Sequence, residues 1–208
     1  MNNNKLNFRV EPIQLRAKET IDIILEVAAQ LLEEVGIDGF TTKLIAERAD
    51  IRVRNIYRYF SNKQAIILAL ARRMAEEQTR LMNDFEYLAS PEIEWEKAIN
   101  MTIDSFVQGF AFQTGILAIR KAMQSTPALR AVDEQQNKEL AEKLAAALHQ
   151  RGVAIEGERM SLVCLVALDV TTCLFDRACM IYSESNDMAK ALEVVEELKE
   201  ILGRYFKA

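Results

Sequence analysis

No stretch of this 208-residue chain alternates apolar and polar residues over a strand's length, and only seven glycines and three prolines punctuate it. A strand with one face on a core needs that alternation, whereas a helix needs apolar residues at three- and four-residue steps with few breakers between them. The second pattern runs through most of the chain, so helix is the expectation nearly everywhere, in about nine or ten segments. At 50% hydrophobic residues the chain can bury a sizeable core as one larger domain beside a small one.

The net charge of -5 is unevenly spread. Residues 1–75 carry 12 basic and 9 acidic side chains, and residues 76–208 carry 14 and 22, so the two parts stand at +3 and -8. The excess is concentrated in residues 36–73, where Lys43, Arg48, Arg52, Arg54, Arg58, Lys63, Arg72 and Arg73 outnumber Asp38, Glu47 and Asp50. A local excess of cations in an acidic protein suits a polyanion held at one end of the molecule. A solvated charged face is the alternative for an arbitrary basic run, and the arrangement of this one argues against it.

Gly36 and Gly39 bracket a turn, and Thr41 and Thr42 can cap a short helix whose apolar positions are Leu44, Ile45 and Ala49. After a tight connection at Asp50 and Ile51, the apolar residues Val53, Ile56, Tyr57 and Phe60 recur at helical steps and give the next segment one inward edge. Its outward edge carries Arg52, Arg54, Asn55 and Arg58. Two short helices joined by about three residues, the second exposing guanidinium and amide groups, form a helix-turn-helix with a recognition helix. Arg pairs bidentately with guanine and Asn with adenine, so these residue types read bases as well as neutralise phosphate.

This stretch resembles the DNA-binding domain of the tetracycline-repressor (TetR) family of bacterial transcription factors. The matching residues, in order, are Ala28-Ala29, Gly36, Gly39-Phe40, Thr41-Thr42, Ile45-Ala46, Ala49, Tyr57-Arg58-Tyr59-Phe60 and Lys63, within residues 18–75. The resemblance implies that Thr42, Lys43, Tyr57, Tyr59 and Lys63 contact phosphates and that Val53, Arg54, Asn55 and Arg58 face bases. Asp50 stands where the family usually has Gly, and a short polar side chain tolerates the positive φ required there. Arg52 stands where the family usually has a hydroxyl cap, so it leaves the capping residue open and adds one more cation for phosphate or base.

The expected fold is all-α: a three-helix helix-turn-helix domain at residues 16–64 after an N-terminal arm at 1–15, and a larger helical ligand-binding and dimerisation domain at 65–208. The first helix, about 16 to 35, should brace the helix-turn-helix. The segment opening at Lys63 should continue to about Leu88 as a strut into the larger domain. Ser90-Pro91 and Thr126-Pro127 each pair a capping residue with a first-turn proline, so each should open a helix.

Residues 98–124 mix Met101, Phe106, Phe110 and Met123 with helix-weakening Gly109 and Gly115. Such residues near a helix break line an adaptable cavity or form ordinary core. The resemblance implies that some of them, with Trp95, border a small-molecule pocket, and Trp95 offers an indole N–H as a polar handle. The helix near 158–183 is apolar almost all round, as a helix buried on all sides is. Its Asp169 must then find a partner, be neutralised or meet a polar ligand. Cys173 belongs with Asp169 among the candidate ligand contacts. The last helix, about 187–206, is apolar over half its circumference, wider than a surface helix needs. The surplus on these two helices points to a homodimer, and the resemblance implies a four-helix interface. A two-fold dimer presents its recognition helices to a palindromic double-stranded DNA operator, with half-sites about 34 Å apart.

Other functions find no support in the residues. No nucleophile elbow, phosphate loop or histidine beside a candidate nucleophile occurs, so no enzyme is expected. Cys164, Cys173 and Cys179 are expected as buried apolar thiols, and His149 as a helix-end cation. No Cys-x-x-Cys or His-x-x-x-His spacing is present, so neither a metal nor a cofactor is expected. The polar start MNNNKLNFRVE lacks a signal peptide's apolar core, and no run reaches the roughly 20 apolar residues of a membrane span. A cytoplasmic, ligand-responsive repressor released by a small apolar or aromatic effector is the expectation. A DNA-binding protein of the same fold without an effector is the alternative, and the size of any cavity beside residues 98–180 separates the two.

Overall fold

The computed structural model describes residues 15–81, 85–110, 115–155 and 157–206. Most of the arm expected at residues 1–15 lies outside the described residues. The helices run α1 Leu15–Gly39, α2 Thr42–Arg48, α3 Val53–Tyr59, α4 Lys63–Leu81, α5 Glu86–Ala89, α6 Trp95–Phe110, α7 Ile116–Met123, α8 Pro127–Arg151, α9 Gly157–Ser185 and α10 Met188–Tyr205. No strand occurs among the described residues. By compactness the chain divides into Met1–Ala75 with Gln113–Asp133, and Glu76–Phe112 with Glu134–Ala208.

In the first unit, α1 buries Ile21, Ile24, Leu25, Ala28, Leu31 and Leu32 as one stripe at helical spacing. Each buried aliphatic side chain of this kind contributes about 1.5 to 3 kcal/mol. Val35, expected on the same face, is exposed. It is the last residue before Gly36, whose φ of 64 interrupts the helix, so the buried stripe ends one turn earlier, at Leu32. Helix α2 packs on α1 and on α3. The first unit also holds a segment that the sequence division gave to the larger domain: α7, within residues 113–133, groups with the helix-turn-helix. It does so because α7 packs on α1, and Gly115 admits that approach. A Cβ at Gly115 would stand 3.0 Å from the carbonyl oxygen of Ala29, and its φ is 79.

The second unit is built on α6, α9 and α10, with α5 and most of α8. Its core joins Phe85, Ile99, Leu148, Cys164, Phe175 and Leu198 with their neighbours. Helix α10 packs on α9 and α6, and Asp187 caps it by accepting from the Lys190 N–H at 3.2 Å.

Two expected boundaries differ. The strut from Lys63 ends by Leu81 instead of Leu88, and Phe85 takes φ 62, which helix does not allow. Ser90-Pro91 lies in a turn, and the next helix starts at Trp95 because Glu94 accepts from the Lys97 N–H at 3.1 Å and serves as its cap. Thr126-Pro127 does open α8, with Thr126 Oγ1 accepting from the Leu129 N–H at 3.3 Å.

Candidate nucleic-acid interface and apolar cavity

The helix-turn-helix is fixed by its caps. Thr41 Oγ1 accepts from the Leu44 N–H at 3.1 Å and starts α2. Its end is closed by the Ile51 N–H donating to Ala46 O at 2.9 Å, with Asp50 at φ 51 in the position where glycine usually turns a helix end. Arg52 precedes α3 in extended conformation and makes no side-chain cap. It is therefore free of a capping duty. Ile56, Tyr59 and Phe60 anchor α3 in the core, while Arg52, Arg54, Asn55 and Arg58 are exposed; Val53 and Tyr57, expected on the inward edge, are exposed as well, because the buried edge runs through Ile56 and Tyr59.

The eight cations of residues 36–73 divide by what holds them. Arg48 makes a two-pronged pair with Glu34, at 3.0 and 2.9 Å, tying α2 to α1. The hydrogen bond from Arg48 holds the Glu34 carboxyl below its ordinary range. Arg73 lies 3.7 Å from Asp22. The Lys63 ammonium donates to the carbonyls of Ile37, at 3.2 Å, and Phe40, at 3.4 Å, and so braces the turn after α1. Arg58 lies over the ring of Tyr59, 5.6 Å from its centroid. Lys43, Arg52, Arg54 and Arg72 point into solvent. Thr42 and Tyr57 join across the motif, their oxygens 3.1 Å apart. The sequence-predicted set is thus brought together on one exposed surface with two exceptions in kind: Tyr59 is 5% exposed and packs in the core, and Lys63 spends two of its three donors on the fold.

The second unit contains a cavity of about 60 Å³. Phe85, Ile99, Phe106, Leu144, Leu168 and Phe206 are among its walls, and Thr102 and Thr171 are the hydroxyl-bearing ones among the described residues that line it. Each threonine donates one turn back, Thr102 to Ala98 O at 2.9 Å and Thr171 to Ala167 O at 2.7 Å. Both oxygens keep lone pairs with which to accept.

Residues 24–70 match the family model of bacterial regulatory proteins of the tetR family, and residues 93–208 match that of the tetracyclin repressor-like C-terminal domain. The second match alone takes in more than half of the chain. The chain belongs to the TetR family. Over 113 residues it is 29% identical to the tetracycline repressor protein class A from transposon 1721 of Escherichia coli, covering 54% of this chain and 50% of that protein. Over 63 residues it is 36% identical to the uncharacterized HTH-type transcriptional regulator YvkB of Bacillus subtilis (strain 168), covering 30% of this chain and 33% of the relative. The chain thus matches half or less of the length of these relatives. A TetR-family transcriptional regulator from Streptomyces coelicolor shares the fold at a TM-score of 0.55 and 26% identity, over 89% of this chain and 96% of that one. The multidrug binding protein EbrR, complexed with imidazole, shares it at a TM-score of 0.57 and 21% identity, over 91% and 95%.

Within this TetR-family architecture the residues expected at a ligand site are scattered. Phe106 lines the cavity and packs on Phe175, ring centroids 4.4 Å apart. Trp95 does not line it: the indole N–H donates to Gly203 O at 2.8 Å, the ring meets Phe206 edge-on, and the Arg151 guanidinium covers it at 5.0 Å. Met101 lies on the side of α6 opposite to Ile99, Thr102, Ile103 and Phe106. Met123 is buried in α7, in the first unit. The side chain of Phe110 lies outside the described residues. Asp169 and Cys173 are exposed, on the side of α9 away from Ala167, Leu168 and Thr171. The buried setting expected for Asp169 is therefore not found, because α9 leaves one side uncovered. Cys173 likewise departs from the expected buried thiols, whereas Cys164 and Cys179 are buried. Burial pushes the Cys164 thiol up to about 11. Sequence reasoning missed Thr102 and Thr171, whose one signal is a hydroxyl inside an apolar helical run.

No described helix is long and apolar enough to cross a membrane, and no group of three or more His, Cys, Asp or Glu side chains poised for a metal occurs among the described residues. The named relatives are repressors and transcriptional regulators, and residues 24–70 of this chain match the family's N-terminal model, over the helix-turn-helix.

Proposed function

We propose that the protein is a cytoplasmic, ligand-responsive repressor that binds a palindromic operator as a homodimer and is released by a small apolar or aromatic effector. The observation that carries the DNA half is the exposed set Lys43, Arg52, Arg54, Asn55, Tyr57 and Arg58 on a capped helix-turn-helix. Thr42, Lys43, Tyr57, Tyr59 and Lys63 are the phosphate set, and Val53, Arg54, Asn55 and Arg58 the base set. Tyr59 and Lys63 serve chiefly by holding α3 and the turn in place.

The effector half rests on the apolar cavity with its two threonine acceptors. That cavity measures about 60 Å³. A drug-sized ligand, which needs several hundred cubic ångströms, enters only if side chains such as Phe106 and Phe206 move apart. That small volume is the observation favouring the second reading, a regulator of the same fold without an effector. Calorimetry of a panel of small aromatic compounds, with and without operator DNA, separates the two. A repressor of the proposed kind binds a compound about 5- to 150-fold more weakly when operator is present, because coupling between sites is reciprocal. Equal affinity in both titrations, or no binding at all, supports the second reading.

A further inference from the structure

One face of α9 is uncovered, and it is symmetric in sequence. Leu162, Val166, Asp169, Cys173, Arg177 and Met180 are all exposed, with Leu162 at 62%, Val166 at 38% and Met180 at 36%. At 100° per residue they fall within an arc of about 80°. Cys173 stands at the centre, Asp169 and Arg177 lie four residues to either side of it, and Val166 and Met180 seven. Read from opposite ends, the face shows an apolar residue, a charge, the thiol, the opposite charge and an apolar residue.

We propose that two copies of the chain pair antiparallel along this face, with the two-fold axis at Cys173, so that Asp169 of each copy meets Arg177 of the other. This assigns the register of the homodimer proposed above and rests on it. A two-fold axis crossing a helix places the residue n positions before the axis opposite the residue n positions after it in the second copy. With the axis at Cys173, two Asp169–Arg177 pairs form, Val166 packs on Met180, and the two thiols adjoin. Parallel pairing sets Asp169 against Asp169 and Arg177 against Arg177, and an axis moved one turn to either side sets one of them against its own copy. Like charges facing each other across an interface are costly, so charge complementarity selects one register. Neither Asp169 nor Arg177 has a side-chain partner among the described residues.

The test is sedimentation of the full chain carrying Asp169→Arg, Arg177→Asp or both, with circular dichroism to confirm folding. Because symmetry counts each change twice, each single variant is expected to weaken the dimer by about tenfold or more, and the double variant to return within about threefold of the parent. A short bismaleimide supplies the second arm: it is expected to link the parent through Cys173 and not Cys173→Ser. Leu162→Cys in the Cys173→Ser background places like thiols about 33 Å apart and is not expected to link. A dimer indifferent to both single changes, or a double variant as weak as the singles, overturns the register while leaving the dimer in place. A parent that is monomeric at micromolar concentration overturns the dimer itself.

Discussion

Thr42 Oγ1 and Tyr57 Oη stand 3.1 Å apart and join α2 to the exposed side of α3. Two residues proposed to touch phosphate are therefore already oriented by each other, which lowers the ordering cost of binding. Thr42→Val and Tyr57→Phe are each expected to weaken specific and non-specific DNA binding alike, by about 0.5 to 1.5 kcal/mol, the worth of one hydrogen bond. Neither removes a cation, so the dependence of affinity on salt stays as it is. Lys43→Ala is expected to flatten it by about one unit of slope. Anisotropy titrations across a salt series separate these outcomes.

Arg54 and Asn55 are exposed on α3 with no cap or ion pair to hold them. Replacing either by Ala is expected to relax base preference at defined operator positions, at about 1 to 3 kcal/mol per lost bidentate contact. Gel shifts on matched and singly mismatched sites measure this. Unchanged preference in both variants removes them from the reading set.

The parts of the fold legible in the sequence were those set by local chemistry. Thr41 as a cap, the tolerance of Asp50 for positive φ, the break at Gly115 and the start of α8 at Pro127 each depend on a few adjacent residues. Tertiary packing decided the rest. Ser90-Pro91 offered a helix start as good as Thr126-Pro127, yet Glu94 caps the helix that forms. In α6 and α9 apolar residues surround the axis, so the pattern did not say which side meets the cavity, and Met101, Asp169 and Cys173 fell on the other side. Met123 falls in the same apolar-rich stretch, residues 98–124, as Phe106 but belongs to a different unit.

Lys199 ties α10 to α6, its ammonium 2.7 Å from Asp104 and 2.6 Å from Glu196. Burial works against its charge, and the hydrogen bonds to both carboxylates outweigh burial and hold its pKa above the ordinary 10.5. A cation raised in this way contributes stability that is complete below 10.5 and lost as pH rises through its higher folded value. Lys199→Met is expected to cost about 1 kcal/mol at neutral pH, because both partners remain well solvated. Denaturant melts of parent and variant should converge as pH rises beyond 10.5.

Ala167 is buried in α9 and lines the cavity. Ala167→Leu should fill the space at a cost of about 1 to 3 kcal/mol in stability. Operator affinity should be unchanged while the response to any effector is lost. Thermal shift with an aromatic ligand, beside a gel shift without one, measures both. Retained effector response places the ligand elsewhere.

Selection of binding sites from random double-stranded DNA by the full chain tests the central claim most directly. The expected result is a palindrome with half-sites centred about one helical turn, 10 to 10.5 base pairs, apart, whose preferred bases change when Arg54 or Asn55 is replaced. Enrichment of no sequence, or of the same sequence by the parent and by both variants, contradicts the assignment of α3 as the element that reads DNA.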